Sequence, residues 1–282
     1  MKRFNISPGI KYIFISVIFF ALMNVGVKYL KRIPSPEIVF FRALVTLAAG
    51  YILIKRQKLK PWGNHKPYLI ARGFAGTIAL IIYFYTVQHM PLASAVTIQY
   101  LSPIFTIIIA GLFLKEPAKP IQWLFFLLSF AGVLLLKGFD TRVSLLDMGL
   151  GITSAFFAGL AYNFIRKLKD YDHPLVVVFY FPLVTVPIVG VYMAFHWVNP
   201  SPLDWLIMIL VGIVTTIAQI YMTKAYQAEK AANISNFNYL GTIFALAFGY
   251  LLFGELINLP GLIGIGLIIF GVIMSNRYSL AK

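Results

Sequence analysis

Cysteine is absent from this chain of 282 residues. That excludes disulfides, thiolate metal sites and cysteine nucleophiles. Acid is scarce too: nine Asp and Glu stand against 24 Lys and Arg, and only 12% of residues are charged. A soluble globular domain carries about 25% charged residues. The acidic residues, among them Glu37, Glu116, Asp147, Asp204 and Glu255, fall in loops or near the ends of apolar runs. None sits mid-run as an obvious proton relay. The four histidines, His65, His89, His173 and His196, are scattered over separate loops or run ends and form no metal or catalytic cluster. Neither G-x-x-x-x-G-K-[ST] nor H-E-x-x-H occurs, which leaves a nucleotide-driven pump and a zinc protease without support. No cofactor is expected.

What fills the chain is apolar: 60% of it is hydrophobic. A membrane-spanning helix needs about 20 mostly apolar residues. Ten such runs lie near 10–29, 36–54, 67–89, 92–114, 119–136, 145–166, 174–196, 203–224, 231–253 and 258–275. The connections left over are short, with no room for a soluble catalytic domain. The expected fold class is all-α integral membrane with ten transmembrane helices. The first run is too long for a signal-peptide core and has no A-x-A cleavage site, so it reads as a retained helix.

The formal charge of +15 does not point to nucleic acid, because its placement is that of a topology signal. With the N-terminus inside, the cytoplasmic segments hold most of the basic residues, including KRQKLK (55–60). The outer segments hold Lys28, Lys31, Arg32, Lys137 and Arg142, and only Arg42 and Arg72 lie inside runs. The positive-inside rule then puts both termini in the cytoplasm, in a cytoplasmic (inner) membrane.

The chain also says one thing twice. VFFRALVTL (39–47) returns as VFYFPLVTV (178–186), an offset of 139 positions. Gln88, Tyr100, Glu116 and Gly132 recur as Gln227, Tyr239, Glu255 and Gly271, and Asn24 as Asn163, with no gap. Each copy, 1–138 and 139–282, holds five runs. Five is odd, so the second copy enters the membrane from the opposite side. The expectation is a 5+5 inverted repeat, an arrangement that in secondary transporters places the substrate near the midplane where the halves meet.

These residues resemble the drug/metabolite transporter superfamily, specifically its EamA-type ten-helix members. The likeness rests on Pro36 followed by Arg42, on ARGFAG (71–76), MPLASAVTIQYLSPIF (90–105), GLFLKEP (111–117) and AGVLLL (131–136). GYLLFGE (249–255) and FGVIMS (270–275) echo it in the second half. The resemblance implies a metabolite carrier, often an exporter of amino acids or related compounds. Its cavity would be formed by runs 1, 3, 4, 6, 8 and 9, with runs 5 and 10 peripheral.

The polar residues suggest the same lining, since polar groups at depth should face protein or a watery cavity. Gln99 and Asn238 would each lie about 10 Å in from opposite surfaces at 1.5 Å rise per residue, and bracket the midplane. Ser235, Asn238 and Thr242 share one helix face. Pro103 has no N–H, which frees the carbonyl of Gln99. Gln219, the matched pair Asn24 and Asn163, and the tyrosines Tyr83, Tyr100, Tyr162 and Tyr239 complete the candidate substrate-binding set. The amides could equally serve only to join helices. Arg42, where the echo has Phe181, would be costly to bury unpaired, and its role is structural or an anion contact. Arg72 is placed to snorkel. Glu116 and Glu255, matched across the repeat, are candidates for gating or capping. Gly151, Ala155 and Gly159 form a small-residue ridge for close packing.

The expected function is a secondary transporter working by alternating access on a small organic metabolite, an amino acid or related compound, in the direction of export. It would sit in the lipid bilayer as a monomer or homodimer, with no nucleic-acid partner and no enzymatic activity. Export of amphiphilic cations is the nearest rival, and an intramembrane lipid-modifying enzyme or a channel the more distant ones.

Overall fold

The computed structural model describes residues 7–113, 119–139, 141–228 and 240–280. Among them are the α-helices α1 (Pro8–Tyr29), α2 (Ser35–Arg56), α3 (Lys66–His89), α4 (Leu92–Gln99), α5 (Ser102–Phe113), α6 (Pro120–Phe139), α7 (Leu145–Lys167), α8 (Pro174–Met193), α9 (Pro202–Ala228), α10 (Leu240–Phe253) and α11 (Leu259–Leu280). Seven segments are long and apolar enough to cross a membrane, α4 and α5 counting together as one, Leu92–Leu112. Parts of α6, α10 and α11 are shorter apolar helices. The chain is a multi-pass, all-helical membrane protein.

Local chemistry sets the helix ends. Ser7 caps α1 by accepting from the Ile10 amide at 3.4 Å, with Pro8 just inside. Ser144 caps α7 by accepting from the Asp147 amide at 3.0 Å. Ser201 and Asp204 cap each other's amides at the start of α9, at 2.8 and 3.2 Å. These caps satisfy amides that the helix itself leaves without partners. Between α4 and α5 the ladder breaks at Tyr100 and Leu101. Pro103, which cannot donate a backbone hydrogen bond, is the second residue of α5.

Two loop clusters mark the ends of the bundle. At one, Arg32 binds Asp204, the Val198 amide donates to Glu37 at 3.2 Å, and Arg142 donates to the Leu256 carbonyl at 2.6 Å. At the other, Asp172 accepts from the Asn64 and His65 amides at 2.6 and 3.2 Å. We call these the Lys28 end and the Asp172 end. α1 finishes at the Lys28 end, and α7 starts there.

The packing repeats at the same interval as the sequence. Thr46 and Thr216 share a hydrogen bond of 2.9 Å, Thr77 and Thr185 one of 2.7 Å, and adding 139 to the first residue of each pair gives the second of the other. A Cβ on Gly73 would stand 2.6 Å from that of Val184, and a Cβ on Gly212 would stand 2.6 Å from that of Val45. Gln88 donates to the Ile33 carbonyl at 2.9 Å, and Gln227 to that of Asp172 at 3.3 Å. Lipid gives no hydrophobic drive between helices, so such close backbone approaches and interhelical hydrogen bonds are what hold the bundle.

α6 and α11 pack on each other at the edge. Gln122 donates to the Ser275 carbonyl at 3.0 Å, and Ser129 approaches that of Ile268 at 3.4 Å. The polar residues of these helices face each other, while Leu124, Leu127 and Leu134 are exposed on the outer face. Gly151 and Gly159 let α7 approach α4 and α5: a Cβ there would meet Ile98 at 2.8 Å and Phe105 at 2.9 Å.

Candidate functional site: a central cavity sealed at one end

The described helices enclose a cavity of about 960 Å³, counting the part that opens to solvent. α1 contributes Val17, Phe20, Met23 and Asn24; α3 contributes Arg72, Gly76, Leu80 and Tyr83. The break between α4 and α5 adds Gln99, Tyr100 and Ser102, and α7 adds Tyr162 and Ile165. Phe181 enters from α8, and Gln219, Met222 and Tyr226 from α9. The lining therefore runs from roughly two turns below the Lys28 end into the parts of α3, α7 and α9 nearest the Asp172 end.

The upper wall is polar and ordered. Ser154 donates to the Gln99 Oε1 at 2.8 Å and also reaches the Ala79 carbonyl at 2.7 Å, which fixes the amide against α7 and α3. Asn24 is 6% exposed, and its Oδ1 has no partner. The Tyr100 hydroxyl lies against the α10 backbone at Gly241, where a Cβ would collide with it. At the floor of the cavity, nearest the Asp172 end, Tyr162 stacks on Tyr226, ring centroids 4.9 Å apart.

Between Gln99 and that tyrosine pair, Arg72 donates from Nη2 to the Gln219 Oε1 at 3.1 Å, and its guanidinium carbon lies 4.3 Å from the Phe181 ring centroid. On that ring too lies Arg42, its guanidinium carbon 5.4 Å from the centroid and 5.8 Å from that of Phe84. Arg42 is fully buried, and none of its three guanidinium nitrogens has a hydrogen-bond partner.

Above the cavity, one helical turn beyond Asn24 on the same face of α1, Lys28 closes the bundle. Its Nζ sits 2.6 Å from Glu255 Oε1 and donates to the Met90 carbonyl at 2.6 Å. The other Glu255 oxygen accepts from the Leu92 amide at 2.7 Å, and the Lys28 ammonium lies 5.6 Å from the Phe253 ring centroid. Lys28 is 2% exposed and Glu255 15%. One ion pair thus ties α1, α3, α4 and the segment after α10.

This membrane protein, with a central cavity of mainly apolar lining set with a few polar groups, is matched twice over by the model of the EamA-like transporter family, at residues 7–137 and 146–277. The chain belongs to this family. Among relatives of this EamA-family protein, the pseudopaline exporter CntI of Pseudomonas aeruginosa is 30% identical over 261 residues, 92% of each chain. Human solute carrier family 35 member G1 is 30% identical over 88% of this chain and 73% of its own. A riboflavin transporter of Vibrio cholerae is 24% identical over 83% of this chain and 81% of its own. A solved crystal structure superposes with a TM-score of 0.70 at 14% identity, covering 96% of this chain and 98% of the other, which is a likeness of fold alone. The family and these relatives are transporters, not enzymes.

Of the residues proposed from sequence, the EamA-family structure brings Asn24, Tyr83, Gln99, Tyr100, Tyr162, Gln219 and Arg72 to one cavity. Asn163 is turned away from it. Its amide donates to the Thr106 and Gly159 carbonyls at 3.0 and 2.9 Å and ties α7 to α5. Thr242, 1% exposed, is buried outside the lining. Ser235, Asn238, Tyr239 and Glu116 lie outside the described residues. Arg72, expected to snorkel, is 3% exposed and faces the cavity instead. Sequence alone does not place two residues of this arrangement: Phe181 stands out there only as the counterpart of Arg42 in the echo, and Lys28 reads as an outer charge although it lies four residues beyond Asn24, on the same face of α1.

Proposed function

We propose that this EamA-family protein is a secondary carrier that moves a small organic metabolite across the bilayer by alternating access. The halves 1–138 and 139–282 would act as inverted five-helix units, and the cavity between them would hold the substrate. The observation that carries this reading is the Lys28–Glu255 pair. It joins the first half to the second one turn above the central cavity, where its rupture would open the opposite face. The recurrence of interhelical contacts at the 139-residue interval supports the two-unit organisation. The excess of basic residues in the loops of the Asp172 end supports cytoplasmic termini in an inner membrane, with the cavity loaded from the cytoplasm and net export. Amino acids and related compounds are the substrate class proposed.

The test is flux. Protein reconstituted in liposomes should exchange a labelled metabolite in a saturable manner, stimulated by unlabelled substrate on the far side. Flux that never saturates, or currents far above carrier turnover, would identify a channel. Release of modified lipid would identify an enzyme. Inertness toward amino acids, nucleoside derivatives and amphiphilic cations alike would defeat the carrier reading.

A further inference from the structure

The described part of the chain buries three cations and treats them differently. Lys28 has its own carboxylate, Glu255, and a backbone carbonyl at 2.6 Å. Arg42 and Arg72, 0% and 3% exposed, have no carboxylate partner among the described residues. All three guanidinium nitrogens of Arg42, and Nε and Nη1 of Arg72, lack hydrogen-bond partners. Glu37, the acidic residue on the helix of Arg42, instead takes the Val198 amide. Contacts with Phe181 and Phe84 return only part of the hydration lost, because burying a charge without a counter-charge is among the costliest things a fold can do.

Among the described residues that line the cavity none is acidic, and Arg72 is the charged side chain. Two guanidinium groups facing one ring therefore impose a positive potential on a space walled by Tyr83, Tyr162, Met222 and Phe181, where the low dielectric preserves the field. Ionisable residues inside a membrane protein face its interior or a cavity and mark substrate or ion pathways.

We propose that the cavity binds an organic anion, a carboxylate or equivalent oxyanion carried on an apolar or aromatic body. Arg72, oriented by its bond to Gln219, is the group that meets the oxyanion. Arg42, behind Phe181, adds positive field without contact. Gly76 keeps the approach clear, since a Cβ there would stand 2.9 Å from the Phe181 ring and 3.5 Å from Arg72 Nη1. This substrate class rests on the carrier reading above and narrows it: amphiphilic cations are disfavoured by the same field.

The test uses the purified full chain and four probes built on one ring: benzoate, phenyl phosphate, benzamide and benzylammonium. Benzoate or phenyl phosphate should raise the melting temperature in detergent more than the weakly binding benzamide does, and benzylammonium should not raise it. Arg72→Gln should weaken the anion by roughly tenfold or more, the scale of a lost charge-assisted hydrogen bond, and leave benzamide unaffected. A purely structural role would lower both alike. Arg72→Lys should restore part of the preference. If Arg72→Gln fails to fold, the wild-type charge series decides alone, and equal or better binding of benzamide or benzylammonium overturns the assignment. Repeating the series in vesicles with and without phosphatidylglycerol separates two sources of the oxyanion. Loss of benzoate binding in anionic vesicles assigns the site to a lipid headgroup, and unchanged binding to a soluble anion. Flux of benzylammonium without benzoate binding would sink the anion assignment and leave the carrier standing. Benzoate binding with no flux of any probe would do the reverse.

Discussion

Arg42 and Phe181 stand 139 positions apart, the interval at which the sequence repeats itself, and they lie in contact, guanidinium over ring at 5.4 Å. The one change of charge between VFFRALVTL and VFYFPLVTV thus sets a cation on one side and the surface it packs against on the other. Phe181 meets Arg72 as well, so it organises both buried arginines. Phe181→Leu keeps the apolar volume roughly but removes the π-face. The expected cost is about 1–3 kcal/mol of stability, from cation–π contacts at a desolvated site plus imperfect repacking. A matching fall in anion affinity should accompany it. Thermal unfolding with and without benzoate checks both.

The close helix crossings make a second prediction. At Gly73 and Gly212 an added Cβ would meet Val184 and Val45 at 2.6 Å. The nearest atom in each case is the valine Cβ, fixed to the neighbouring helix backbone, so the backbones must part. Gly73→Ala and Gly212→Ala should each destabilise by about 1–3 kcal/mol, as overpacking does. Val184→Gly, which removes the Cβ that alanine would keep, should recover part of the first loss and Val45→Gly part of the second, while the crossed combinations should not, because coupling is confined to residues in contact. Melting temperatures of the four double variants decide it.

Much of this was legible in the sequence. Runs of twenty apolar residues announce spanning helices because lipid forces every backbone group to bond within its own segment. Pro103 announced the break beside Gln99 through its missing donor. The cavity lining could be guessed for Asn24, Tyr83, Gln99 and Gln219 because polarity at depth has few places to go. Asn163 shows the limit of that rule, since the same amide satisfies itself on carbonyls of α5 and α7 instead of facing the cavity. The Lys28–Glu255 pair was harder to see. Each partner sits near a helix end, where a charge usually means solvent, and only tertiary packing brings them together. Phe181 was hidden for a related reason: an aromatic in an apolar run carries no mark of which face it takes.

At the Asp172 end, His173 caps α8 by accepting from the Leu175 amide with Nδ1 at 3.3 Å. That role needs an unprotonated nitrogen. Burial, and then the nearby Lys224 ammonium, hold its pKa below the ordinary histidine value. With the folded pKa depressed, the unfolded chain takes up a proton first as pH falls. The cap's contribution is full above about pH 6.5, the unfolded value, and is lost on acidification through the folded pKa. His173→Asn keeps a capping acceptor and should abolish this component of the pH dependence. Melting curves between pH 5 and about 8 compare the two proteins.

The seal at the Lys28 end yields the sharpest prediction, and the missing cysteines make it easy to read. Lys28→Met leaves Glu255 partly buried without its cation, and Glu255→Gln leaves Lys28 with a backbone carbonyl partner. Breaking a buried pair from one side typically costs about 3–5 kcal/mol. Here part of that cost is avoided by opening the bundle above the cavity, which rehydrates the orphaned charge. A single cysteine placed at Ala161, a cavity-lining residue 5% exposed, reports the change against a background with no native thiol. In the otherwise unaltered protein it should react with a membrane-impermeant thiol reagent supplied at the Asp172 end and resist one supplied at the Lys28 end. Glu255→Gln should invert that preference, raising labelling from the Lys28 end severalfold. If labelling from that end stays absent in both Glu255→Gln and Lys28→Met, the ion pair is a structural clasp and the gate lies elsewhere.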